Sequence, residues 1–192
     1  MNDNESKKWK ILDSRYLMKR PWLTVRHDKV QLPDGRINPE FYVLEYPDWI
    51  NVIAITKEGK WVMEHQYRHG MGDISIEICA GVIEPGETPE QGARRELEEE
   101  TGYGGGEWKL ISVISGNPST TNNFTHCFLA TGVEPVSERH LDATEDIEVM
   151  LMDENEVLDL LLADRIKQAL MAAPMWKYFA LKSGIKKNQE GL

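Results

Sequence analysis

A chain of 192 residues, 41% of them hydrophobic, can bury one core of ordinary size, so a single domain with decorated edges is the starting expectation. A formal net charge of −10 repels phosphate backbones and anionic lipid surfaces, which excludes nucleic acid and membrane as expected partners and means that action on a polyphosphate would need a cation. The two cysteines, Cys79 and Cys127, each sit inside an apolar run, residues 1–20 contain no leader-like apolar segment, and no stretch is apolar enough to cross a bilayer; reduced core thiols and a cytoplasmic location are expected.

Residues 1–20 mix Lys, Asp and Asn with a short apolar patch and read as a loosely held arm or an edge strand. β-Branched and aromatic residues at 22–30 and 41–46 flank Leu32-Pro33-Asp34-Gly35, whose turn chemistry predicts two paired strands. A second pair is predicted at 50–56 and 61–67 around Lys57-Glu58-Gly59-Lys60, with Gly where a positive φ is needed. Residues 74–80 alternate like one half-buried strand, and 109–115, 125–130 and 147–152 add short strands. Helices are predicted at 89–101 and from 153 to about 173, where Val157, Leu158, Leu161 and Leu162 line one face. The layout is strands, helix, strands, helix, without repeats or a Gly/Ser linker.

The helix at 89–101 is the most sharply marked element. Thr88 can cap it, Pro89 suits its first turn, Gln91 completes a capping box, and Gly102 can stop it in a left-handed conformation. Spacings of i, i+3 and i+4 put Glu96, Glu99 and Glu100 within roughly one 100° arc, on a face expected to be accessible, while Glu98 points away. Like charges so arranged repel one another, and Arg95, although it can pair with Glu99 at i+4, neutralises only part of them. An oxygen-ligated divalent ion would supply the remainder, either Mg²⁺ or Mn²⁺, since hard oxygen ligands accept both.

Gly81, then Glu87, then Arg95-Glu96-Leu97-Glu98-Glu99-Glu100-Thr101-Gly102 fall at the spacing of the Nudix box, which this stretch resembles at every Gly, Glu and Arg position; Tyr103 stands where that family has an aliphatic residue. The resemblance implies an α/β fold, the Nudix α/β/α sandwich with a mixed β-sheet, here with N-terminal antiparallel strands added. It divides the chain into an N-terminal arm and strands at 1–48 that serve dimerisation, a Nudix hydrolase domain at 49–180 and a tail at 181–192. It further implies Mg²⁺-dependent attack of water on one phosphorus of a diphosphate without a covalent intermediate. By position in the motif, Glu96, Glu100 and the Ala80 carbonyl resemble direct metal ligands, and Glu99 a ligand or water-positioning carboxylate. Arg95 would orient the glutamates, Glu87 would brace the loop, and Gly81 and Gly86 would let backbone approach the phosphates closely. The general base in this family commonly comes from a later loop; Glu145 and Asp142 are the candidates, with Glu145 preferred.

Two further stretches resemble the ADP-ribose and nucleotide-sugar branch of the family. Gln66-Tyr67-Arg68 precedes the box, and by that resemblance Arg68 faces the substrate phosphates and Glu77 matches an acidic residue before the Ala-Gly pair. Pro118 stands where ADP-ribose hydrolases place a proline, though in Asn117-Pro118-Ser119 rather than their usual sequence. Trp22 and Trp49 are candidates for stacking on a base, and a homodimer is implied. The expected substrate is a small nucleoside diphosphate derivative, ADP-ribose first, with GDP-mannose, other nucleotide sugars or dinucleotides as alternatives. A sensor that binds ADP-ribose without cutting it is the competing class, set back by an intact set of glutamates and the want of a basic extension.

Overall fold

The structure is a computed structural model that describes residues 5–184. Residues 1–4 of the expected arm and residues 185–192 of the expected tail lie outside the described residues. The chain divides into two compact units, Met1–Pro47 with Ser115–Asn123 and Asp48–Ile114 with Phe124–Leu192.

The first unit is an antiparallel sheet of β1 (Lys10–Arg20), β2 (Leu23–Gln31) and β3 (Ile37–Glu45) in that order, so β1 is an edge strand, the second of the two readings of the arm. The turn between β2 and β3 closes as its residues dictate: Gly35 takes φ +87° and donates to the Leu32 carbonyl at 2.9 Å. β3 begins earlier than the apolar pattern at 41 indicates because Pro39, which cannot donate to a ladder, is tolerated on the outer edge of a sheet. Asp28 is buried and held by Arg26 at 3.0 Å and by the Ser14 hydroxyl at 2.6 Å. Segment 115–123 is tied to β3 and the residues after it: Leu44 N–H donates to Thr120 at 2.7 Å and Tyr46 N–H to Asn122 Oδ1 at 3.0 Å.

The second unit is built on β4 (Trp49–Thr56), which lies between β5 (Trp61–Arg68), antiparallel to it, and β10 (Thr125–Pro135), parallel to it. β11 (Ile147–Met152) extends the sheet beyond β5, while β8 (Tyr103–Gly104) and β9 (Glu107–Ile114) pair with β10. α1 (Pro89–Thr101) covers one face; α2 (Glu154–Leu162) and α3 (Ala169–Lys182) cover the other. β4 is apolar at successive positions because both its faces are buried. Ile50, Val52 and Ala54 pack with Val62, Ala93, Leu97 and Phe128 beneath α1, and Ile53 and Ile55 pack with Trp61, Met63, Val157, Met171 and Met175 beneath α2 and α3. The result is an α/β/α sandwich around a mixed sheet.

Three expectations are corrected here. Residues 74–80 form two strands: β6 (Asp73–Glu77) pairs with β5 and β7 (Cys79–Val82) with β4, the chain stepping between neighbouring strands at the fully buried Ile78. The helical stretch at 153–173 is two helices, broken where Asp164 takes φ +52°, and of the four residues assigned to its buried face Leu158 is half-buried and Leu162 exposed. α3 then runs through Pro174, whose missing N–H leaves the Leu170 carbonyl without its intrahelical donor; Asn51 of β4 donates to that carbonyl at 2.7 Å. β10 continues past 130 through a bulge at Gly132, φ +76°. Among the described residues no helix is long and apolar enough to cross a membrane.

Candidate active site

Both ends of α1 are fixed by its own sequence. Thr88 Oγ1 accepts from Gln91 N–H at 3.3 Å, Gln91 Oε1 accepts from Thr88 N–H at 2.8 Å, and Gly102, φ +75°, donates to the Glu98 carbonyl at 2.8 Å. Ala93 and Leu97 are fully buried against the sheet, which sets the rotation of the helix and turns Glu96 and Glu100 towards β7, with Glu99 beside Arg95, while Glu98 stays exposed.

Arg95 is the hub of this face. Its guanidinium donates to Glu87 at 2.8 and 3.1 Å, to Glu99 at 2.9 Å and to the Val82 carbonyl at 3.0 Å, and lies 3.0 Å from Glu96 Oε1. Hydrogen bonding to Glu87 first, and to Glu99 and Glu96 after it, raises the Arg95 pKa further above its ordinary value, so it is a fixed positive charge. Glu87 also accepts from Glu84 N–H at 2.9 Å and so braces the loop before the helix. Glu96 Oε1 accepts from Val82 N–H at 3.2 Å and lies against Gly81, where a Cβ would stand 2.1 Å from Glu96 Cδ. Glycine at 81 leaves the room that Glu96 occupies, since any Cβ there would displace that side chain.

Glu100 faces inward, and the expectation of an accessible carboxylate is corrected: it is 5% exposed and accepts from Ala80 N–H at 3.3 Å. Beside it are two residues that the sequence reading did not assign to the site. Trp61 and Met63 face α2 and α3, so the alternation of β5 turns Val62 and Glu64 towards α1, and Cys79 of β7 faces the same way. One ligand atom from each of Glu64, Cys79 and Glu100 lies within 4.8 Å of the others. Burial raises Glu100 to about 8, with Glu96 and Glu145 adding to the shift and the Cys79 thiol opposing it; burial likewise raises Glu96, Glu64 and Cys79. The available signal for Glu64 was an acidic residue inside the apolar run Trp61-Val62-Met63.

Glu145 lies in the loop before β11, half-buried, with its carboxylate accepting from Asp142 N–H at 2.9 Å; its charge acts on both Glu64 and Glu100. That loop hangs from the end of α1, since Val136 N–H donates to Gly102 and His140 N–H to Glu99, each at 2.9 Å. Arg68 and Glu77 pair with each other at 2.9 and 2.5 Å, Glu77 fully buried and Arg68 partly open. Trp49, Arg68, Ala80 and Gly81 line a cavity of about 250 Å³ together with Gln168 and Met171. Trp22 and Pro118 fall in the first unit, Trp22 being 83% exposed at the turn between β1 and β2 and Pro118 exposed in segment 115–123.

Residues 46–173 match the NUDIX domain family, and residues 9–44 match the nucleoside diphosphate sugar hydrolase N-terminal domain. The chain is similar to the ADP-ribose pyrophosphatase of Bacillus subtilis (strain 168), 34% identical over 160 residues, covering 83% of this chain and 85% of that protein. It is similar to the methanol dehydrogenase activator of Bacillus methanolicus, 31% identical over the same shares of the two chains. A solved structure of an ADP compounds hydrolase has the same fold, with a TM-score of 0.75 at 20% identity, over 92% of this chain and 96% of that one. The match over residues 46–173 and the similarity across most of the chain show that it belongs to the Nudix family and is a Nudix pyrophosphohydrolase.

Proposed function

We propose that the chain hydrolyses ADP-ribose to AMP and ribose 5-phosphate with Mg²⁺. The observation that carries this reading is the convergence of Glu96 and Glu100 on the backbone of Ala80 to Val82, with Glu99 held beside them by Arg95, their fixed counter-charge. The donor set fits a hard divalent ion: several carboxylates meet one guanidinium, and burial raises Glu96 and Glu100, a disfavour that a cation relieves. Glu96, Glu100 and the Ala80 carbonyl would hold it, with Glu99 as a further ligand or a group orienting water. When bound, such an ion neutralises diphosphate charge and makes water a better nucleophile at neutral pH.

The chain's own residues supply the rest. Arg95 keeps Glu96 and Glu99 in place, and Glu145 is the base that takes the proton from the attacking water. Glu77 engages two N–H groups of Arg68, which aims the guanidinium and leaves its remaining donors for phosphate oxygens. The cavity beside Ala80 and Gly81, at about 250 Å³, suits one sugar or one base rather than a whole dinucleotide. Trp49 on its wall is the stacking surface, and the exposed Trp22 of the first unit is kept as a separate candidate for stacking on a base. Similarity to an ADP-ribose pyrophosphatase supports the choice of ADP-ribose.

We further propose a homodimer, because β1 exposes Ile11, Leu12, Tyr16, Leu17 and Met18 in a single chain; a sedimentation measurement giving one 22.0 kDa species at micromolar concentration would remove it. A cytoplasmic location is supported by the two free, buried cysteines. The test of function is a chromatographic assay with Mg²⁺ against ADP-ribose, GDP-mannose, a diadenosine polyphosphate and NADH. AMP from ADP-ribose is the expected product; cleavage of another member alone replaces the substrate, and tight binding of ADP-ribose without cleavage makes the chain a sensor.

A further inference from the structure

Glu64 is an expensive residue where it stands. It is 3% exposed, and its Oε1 is buried with no hydrogen-bond partner among the described residues. Neither Cys79 nor Glu100, the groups beside it, bonds to that oxygen. Arg68, the cation that acts on Glu64, is engaged by Glu77.

The three groups come from three elements, β5, β7 and α1. Atoms no more than 4.8 Å apart surround a centre about 2.8 Å from each, and small side-chain movements bring all three to the roughly 2.0–2.3 Å at which carboxylate and thiolate hold a zinc-class ion. We propose that Glu64, Cys79 and Glu100 form an inner cation site, sharing Glu100 with the face of Glu96 and Glu99, and that it takes a divalent transition ion of the zinc or cobalt class.

The donor chemistry sets this class. One sulfur with two carboxylates is softer than an all-oxygen set and favours zinc or cobalt over Mg²⁺. Binding converts the Cys79 thiol to a thiolate, its proton leaving to solvent. The ion then joins the last turn of α1 to the two strands beneath it, which fixes the Glu100 carboxylate for the outer face. The inference rests on the proposed function only in that Glu100 serves both sites.

The full chain, stripped with a chelator and titrated with Co²⁺, tests it by absorption. A thiolate-to-cobalt charge-transfer band in the near ultraviolet is expected, displaced by Zn²⁺ and not by excess Mg²⁺. The band should vanish in Cys79→Ser, persist in Cys127→Ser, and in Glu64→Gln need about tenfold more cobalt to saturate. Circular dichroism and a melting curve establish that each variant is folded, and Glu64→Gln carries the test if the cysteine variant is not. Cobalt bound without the charge-transfer band, or a band that survives Cys79→Ser, overturns the inner site and leaves the outer one standing. No cobalt binding at all overturns both.

Discussion

A side chain on residue 81 would share its space with Glu96, since a Cβ there would stand 2.1 Å from Glu96 Cδ and 2.2 Å from its Oε1. The obstructing atoms are the far end of a flexible side chain, so the backbone need not move. Gly81→Ala should therefore leave the melting temperature nearly unchanged while swinging Glu96 away from Val82 N–H. Manganese affinity by calorimetry, and turnover with it, should fall about tenfold or more; an unchanged affinity would remove Glu96 from the ligand set. Glu100→Gln tests the same centre from inside the fold. It should reduce turnover by orders of magnitude with the fold kept, whereas Glu98→Gln, on the exposed side of α1, should leave the rate as it is. The outer carboxylates were legible in the sequence because helical spacing alone puts them on one face. Glu64 was not, because the face that a strand residue takes depends on which neighbours of that strand meet each layer.

On the scale of elements, α1 is set by local chemistry and its neighbours by partners. The capping box at Thr88 and the left-handed Gly102 are written within a few residues of the helix, and the structure has the helix at Pro89–Thr101 as the spacing predicts. The step from β6 to β7 has no such local mark, because it follows from β5 and β4 lying side by side. The break between α2 and α3 is likewise hidden, since no glycine or proline lies between them and the chain turns at Asp164. Gly102 also ties α1 to the loop before β11. Its carbonyl and that of Glu99 hold the loop leading to Glu145, and a Cβ on it would meet the Ser137 carbonyl at 2.7 Å. Gly102→Ala should destabilise the protein by about 1–2 kcal/mol through the positive φ and that contact. If Glu145 is the base, kcat should fall further than KM changes; a stability loss with kcat intact would separate the loop from the chemistry.

Across the whole molecule, an acidic chain brings several of its carboxylates together on one side of the sheet, two of them, Glu64 and Glu100, buried. Glu64 of β5, Cys79 of β7 and Glu100 of α1 lie together, the charges of Glu96 and of Glu145 in the loop before β11 act on them, and Arg95 and Arg68, the cations beside this group, are both already paired. The consequence for stability has a definite sign. Burial raises Glu100 from the ordinary 4.5 to about 8, so between those values the folded, ion-free chain keeps a proton that the unfolded chain has released. Glu100's contribution is therefore fully present below pH 4.5 and is lost as the pH rises through about 8. Its share of the slope is at most about 1.4 kcal/mol per pH unit. A divalent ion reverses this, because it favours the charged carboxylates and binds more tightly as they lose their protons. In melting curves from pH 5 to pH 8, the chelated protein should lose stability steadily, the protein with Mn²⁺ should hold level, and chelated Glu100→Gln should show a shallower fall than the parent. A chelated parent whose melting temperature rises across that range would mean that Glu100 is charged in the ion-free fold, and the cluster would then need a counter-charge other than a metal ion.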